Sequence, residues 1–353
     1  MIVFLRTLIL FILPVGLLAQ GEMPRVFITT DVGINDPDDD QSVCHMLHYA
    51  NEFELVGLAP DLVVLNTKRA ESSRQRLTDV LDAYALDYAN PDYRFSEAGY
   101  PTPKDVRASI QWTLDDAVST LITAARDDNP RPLYVLVWGR MQVIGKAMQE
   151  APQIASKIRL LTIGTHLKAN RSWGNEKGDG QERNWNWTED RDRIFNAHQN
   201  LWWVESDWTY SGMFPAPVDD KERFGDPVAL RDQIKEHGRL GFHLWKMGNK
   251  HKWSGYFRCG DTPSLNYLLD PYDDEDPTLQ GWAGQFHRPF AERPNYYIGI
   301  SGDLDWNYRE PEKTWQNAEK VFLARSATLR EKRKEMYADY LKRLAFLYGR
   351  GRD

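Results

Sequence analysis

Five carboxylates fall within ten residues in the segment Thr29-Thr30-Asp31-Val32-Gly33-Ile34-Asn35-Asp36-Pro37-Asp38-Asp39-Asp40-Gln41-Ser42. Crowded this closely, Asp31, Asp36, Asp38, Asp39 and Asp40 raise one another's energy unless they share a positive centre. A hard divalent cation that takes several oxygen ligands meets that need, and many converging carboxylates and carbonyls favour calcium over magnesium. Plainer readings are a solvated turn, an N-cap at Asp38 or Asp39, and acids set favourably at a helix N-terminus. Position separates them. Residues 26–30 read as a strand and 39–51 as a helix, so the acids lie at a strand's carboxyl end, where open α/β sheets bind ligands.

The elements around this segment predict an α/β fold, a mostly parallel sheet flanked by helices, because short apolar runs alternate with amphipathic stretches from Arg25 to about Gln153. Further strands are expected at 55–58 together with 63–65, at 133–138 and at 158–163. Helices are expected at 69–88, 115–126 and 141–151. After Gly164 the apolar periodicity fades. Residues 170–208 hold Trp173, Trp185, Trp187, Trp202, Trp203 and Trp208 and read as a long irregular insertion, ordered as a lid, since disordered segments are poor in aromatics. Asp226-Pro227 reads as an N-cap with proline at the first helical position, opening a helix to about Lys246. From Glu312 to about Leu347, Val321, Leu329, Met336, Tyr340 and Leu344 recur at helical spacing among Lys, Arg and Glu. This predicts a long helix or helix pair with a solvated charged face. The α/β domain is expected over 25–310 and a helical extension over 311–353.

Composition narrows the partners. The 353-residue chain carries a net charge of -7, and no Lys/Arg stripe lies beside stacking aromatics, which argues against nucleic acid. Residues 1–19 combine an early positive charge, an apolar run and Ala19, the pattern of a secretory signal peptide. A membrane anchor is the rival reading, but Pro14 and Gly16 interrupt a run already short for spanning. The mature protein is therefore expected to be secreted or periplasmic, with no membrane association after cleavage. Cys44 and Cys259 suit either one bridge in an oxidising compartment or two buried thiols.

The aspartate segment resembles the calcium-binding N-terminal motif of nucleoside hydrolases, Asp-x-Asp-x-Gly-x-Asp-Asp, with three extra residues before the last Asp-Asp and Thr29 in place of the first aspartate. It more closely resembles the nucleoside-hydrolase-like domain of a bacterial family described as cellulose-binding proteins, whose version runs Thr-Thr-Asp-x-Gly, Asp-Pro-Asp-Asp and Gln-Ser. Residues 51–58, 99–103, 133–139, Gly260-Asp261-Thr262-Pro263-Ser264 and Gly281-Trp282-Ala283-Gly284 agree as well, so the likeness runs over roughly 25–290. It implies that Asp31, Asp39 and Asp261 bind a calcium ion, that Asp38 binds sugar hydroxyls and that Asp31 is the general base. The implied reaction is hydrolysis of a glycosidic or N-glycosidic bond by metal-activated water.

Where nucleoside hydrolases offer a backbone carbonyl and an asparagine after the central strand, this chain has Trp138-Gly139-Arg140-Met141-Gln142. Arg140 then either binds an anionic group on a substrate or pairs with a surplus aspartate such as Asp36. His166, just past the expected strand end at Gly164-Thr165, is preferred over His243, His251 and His287 as the general acid. Trp282 is a candidate for stacking on a sugar ring or base, or for core packing. The expectation is a secreted calcium-dependent hydrolase of a small hydroxyl-rich substrate such as a nucleoside or saccharide, with oligomer formation open. The alternative is a non-catalytic carbohydrate-binding protein on the same fold.

Overall fold

Strand β1 (Arg25–Thr30) is buried at every position, as a strand covered by helices on both faces must be. In the computed structural model, which describes residues 23–34, 36–166, 175–176, 182–215, 219–248, 255–271, 275–300 and 318–349, it pairs in parallel with β2 (Glu54–Pro60) and β3 (Leu133–Val137). The expected signal peptide, Trp173 and His251 lie outside the described residues. β4 (Ile158–Ile163) continues beside β3. A short antiparallel pair, β5 (Asn175–Glu176) and β6 (Glu182–Arg183), stands apart. The main sheet then runs through β7 (Trp202–Ser206), with β8 (Phe286–His287) and β9 (Tyr296–Gly299) completing seven strands in the order β2-β1-β3-β4-β7-β9-β8. Within this seven-stranded sheet all pairings are parallel except β8 with β9.

The helices in chain order are α1 (Asp38–His48), α2 (Asp61–Val64), α3 (Ala70–Tyr88), α4 (Pro103–Ala108), α5 (Leu114–Arg126), α6 (Gln142–Glu150), α7 (Glu189–Ala197), α8 (Lys221–Phe224), α9 (Pro227–Ile234), α10 (Gly238–Met247), α11 (Pro263–Leu269), α12 (Ala318–Arg330) and α13 (Arg333–Tyr348). Alternate strand residues face opposite ways. Val26, Ile28, Leu136 and Val204 join one core with α1, α3, α10 and α13, whereas Phe27, Val135, Val137 and Trp203 join a second with α5, α6 and α7. Local signals set the ends. Thr113 caps α5 by accepting from Asp116 N at 3.1 Å, and Asp226 caps α9 by accepting from Val228 N at 2.9 Å, with Pro227 at the first helical position.

Three readings need correction. Residues 63–65 are not a strand: β2 ends at Pro60, and the chain turns into α2. The Trp-rich stretch is not simply an irregular lid, since within it α7 forms and β7 occupies an interior place in the sheet. Glu205 hides β7 from a hydropathy reading, because this fully buried carboxylate accepts from Arg191 Nη2 at 2.6 Å and Thr165 Oγ1 at 2.6 Å. The expected helix over 226–246 breaks into α9 and α10 at Gly238, where φ is +68°.

The C-terminal charges are also less solvated than their composition implies. α12 and α13 form the expected pair, yet Arg325, Arg330 and Arg333 are buried. Arg330 and Arg333 both pair with Asp219.

α13 is tied to α1 through His48. Tyr348 OH donates to Asp87 Oδ2 at 2.8 Å and lies 3.1 Å from His48 Nε2, while Tyr340 OH lies 2.8 Å from His48 Nδ1. Because the Tyr348 proton is used on Asp87, His48 Nε2 donates to Tyr348 and Nδ1 accepts from Tyr340, the neutral form. Burial holds the His48 imidazole well below its ordinary pKa, so this link contributes stability above about pH 6.5 that is lost as pH falls below it. Tyr348→Phe strands both partners in the core and should cost about 1–3 kcal/mol. Urea denaturation at pH 7.5 checks this, and a midpoint equal to wild type would contradict it.

Candidate functional site

The acids sort into two groups. Asp36 and Asp40 are neutralised by arginines: Arg258 Nη2 lies 2.9 Å from Asp36 Oδ2, and Arg76 Nε donates to Asp40 Oδ1 at 2.8 Å. Arg258 is held over the Phe214 ring at 4.2 Å, and its backbone N–H donates to Gln41 Oε1 at 2.7 Å. The partner of Asp36 is thus Arg258 and not Arg140, because the loop before α11 folds back onto the start of α1. Among the described residues, Asp31, Asp38 and Asp39 form no such pair.

Asp261 joins them from the far end of the fold. Its N–H donates to Ser42 Oγ at 3.4 Å across 219 residues of sequence. A Cβ at Gly260 would lie 2.6 Å from Asp38 Oδ2, so only glycine lets the loop approach this closely. Asp39 lies within hydrogen-bonding reach of both Asp31 and Asp261, and Thr30 Oγ1 donates to Asp39 Oδ1 at 3.3 Å. Burial, then the charges of Asp261, Asp31 and Asp38, push the Asp39 carboxyl well above its usual range. Burial with Asp36 and Asp261 does the same to Asp38, and burial with Asp31 to Asp261. Asp31 is raised by burial and partly relieved by Asp39 and Arg140.

The structure adds residues that sequence reading missed. Asp61, at the carboxyl end of β2, is fully buried and accepts from Arg140 N at 2.6 Å through Oδ2, while Oδ1 has no hydrogen-bond partner among the described residues. Burial and the charge of Asp31 push its carboxyl well up. Its only sequence signal was a lone acid after Pro60 at a strand end. Asn184 Nδ2 donates to Asp207 O at 2.7 Å and Asn186 Nδ2 to Ile163 O at 3.1 Å, fixing polar side chains at the carboxyl ends of β4 and β7. Tyr210 lies near enough to Asp38 and Asp261 to feel both charges.

Among the described residues, no three His, Cys, Asp or Glu side chains already stand as a metal-ligand set. The donor chemistry nevertheless fits a hard divalent cation. The inner acids offer only oxygens, the charges of Arg258 and Arg140 relieve Asp38 and Asp31 only in part, and among the described residues Asp261 Oδ2 is buried without a hydrogen-bond partner.

Other expected residues are placed elsewhere. Trp282 is buried against the C-terminal helices, its Nε1 donating to Glu335 Oε1 at 3.0 Å and its backbone N–H to Asp270 Oδ2 at 2.7 Å. It packs in the core with the residues of α13. His166 follows the carboxyl end of β4, and its carbonyl accepts from Asn184 N at 2.7 Å. Arg140 is exposed at the rim, beyond the carboxyl end of β3. Cys44 and Cys259 are both buried free thiols.

No curated protein matches the chain. A nucleoside hydrolase-related protein from Saccharophagus degradans, associated with carbohydrate metabolism, shares the fold with a TM-score of 0.59 at 20% identity, over 93% of this chain and 73% of that one. A plant nucleoside hydrolase aligns over 86% of this chain and 99% of its own, with a TM-score of 0.47 and 14% identity. The family model described as cellulose-binding Sde182, nucleoside hydrolase-like domain, matches residues 25–286. The mostly parallel sheet, the aspartate segment at the end of β1 and this match together place the chain in the cellulose-binding Sde182 nucleoside hydrolase-like domain family.

Proposed function

We propose that the protein is an exported hydrolase that cleaves a glycosidic or N-glycosidic bond of a small hydroxyl-rich substrate at a calcium site held by Asp31, Asp39 and Asp261. The observation that supports it is the sorting of the acids: two are paired with arginines, while half-buried Asp31 and Asp38 and buried Asp39 and Asp261 are gathered from the end of β1, the start of α1 and the loop before α11. Calcium bound there supplies positive charge and Lewis acidity. Asp31 serves as the base that takes a proton from the attacking water, and Asp38 accepts hydrogen bonds from sugar hydroxyls. His166 is the proposed acid for the leaving group. Burial keeps bulk water from screening these charges.

A non-catalytic carbohydrate-binding role is the second reading, favoured by the cellulose-binding description of the family. Release of base or reducing sugar from a panel of nucleosides and oligosaccharides, with calcium and with chelator, separates the two. Turnover that chelator abolishes and calcium restores is expected. Saccharide binding without turnover would select the second reading.

A further inference from the structure

We infer that Arg140 forms an anion subsite at the rim of the carboxylate basin, and that the substrate is a sugar bearing a phosphate or carboxylate group. This rests on the basin being the sugar-binding centre. The turn carrying Arg140 is pinned to that basin. Its backbone N–H donates to Asp61 Oδ2 at 2.6 Å, and a Cβ on the preceding Gly139 would lie 3.1 Å from Asp31 Cβ. The side chain itself is exposed. Its charge acts on Asp31 and Asp61, yet among the described residues its guanidinium makes no ion pair and no hydrogen bond.

The neighbouring arginines are committed, Arg258 to Asp36 and Arg76 to Asp40. Arg140 alone of these three keeps its planar fork of donors open, the geometry that binds carboxylate and phosphate. α6 starts two residues later with no acid in its first turn and no side-chain cap, so its positive end adds to the same place. α1 differs, carrying Asp38, Asp39 and Asp40 in its first turn. A ligand whose hydroxyls face the aspartates and whose anionic group meets Arg140 satisfies both halves of the site. A neutral sugar leaves the cation unused.

Calorimetric titration of the full chain in calcium, with ribose against ribose 5-phosphate and glucose against glucuronate, tests this. One anionic sugar should bind about tenfold more tightly than its neutral counterpart, and which pair shows the preference distinguishes phosphate from carboxylate. Arg140→Gln should bring the pair to about equal affinity, and Arg140→Lys should keep part of the preference. Equal affinities within both pairs, no binding of either anionic sugar, or a preference unchanged in Arg140→Gln would overturn the inference. Asp39→Asn separates this outcome from the reading of the basin. If it leaves all binding intact while Arg140→Gln still removes the preference, the anion subsite stands and the basin reading falls.

Discussion

Asp31→Asn should lower turnover about 1,000-fold while leaving the fold intact, the middle of the range for loss of a positioned general base. Asn keeps the size and one carbonyl oxygen, so packing at the end of β1 changes little, but it cannot accept a proton. Asp31 is suited to that role because Asp39 and Arg140 partly offset the effect of burial on its carboxyl. The loss should fall on kcat more than on KM, since proton transfer belongs to the transition state. Turnover within threefold of wild type would remove Asp31 from the chemistry and with it the proposed mechanism.

A second large effect concerns Asp39, and it needs no substrate. Its carboxyl is pushed well above the ordinary 3.8 by burial first and by the surrounding acids next. Without a cation the folded state therefore binds this proton more tightly than the unfolded state does. The stability attributable to Asp39 falls as pH rises from about 4 through its folded value. Metal-free Asp39→Asn should accordingly melt above metal-free wild type at pH 7, and the gap should close toward pH 4. Calcium should reverse the ranking. At a thousandfold excess over Kd it stabilises wild type by about 4 kcal/mol, or roughly 8 °C for a chain of this size, and the variant by little. Thermal melts in chelator and in calcium check both halves. A wild type indifferent to calcium, paired with a variant of unchanged melting temperature, would show that these acids neither repel one another nor share an ion.

The same comparison separates the two functional readings. A saccharide-binding protein could keep the ion for structural reasons and still show the calcium shift, but it would not lose activity with Asp31. Calcium stabilisation with no turnover on any substrate would make the basin a binding site. Arg140 would remain testable in either case, because its proposed role is recognition.

Much of the positioning frame could be read from residues close in sequence. Apolar runs of strand length separated by amphipathic helices predicted β1, β3, β4, α3, α5 and α6 to within about a residue, because burial on two faces leaves a continuous signal. The five acids of residues 31–40 were visible for the same local reason. β7 was not, since Glu205 and Ser206 make a buried strand look polar until Arg191 is brought beside it. The buried C-terminal arginines misled in the same way.

The amino-acid order by itself determined the α/β character, the place of the acids at the end of the first strand and the surplus of negative charge that must be answered there. Only the tertiary structure decided which acids were answered by arginine, that Asp61 stands beside Asp31, that Trp282 belongs to the core and that Arg140 faces outward. Charge pairing depends on separations of a few ångströms between residues up to 222 positions apart, and no local pattern records such distances.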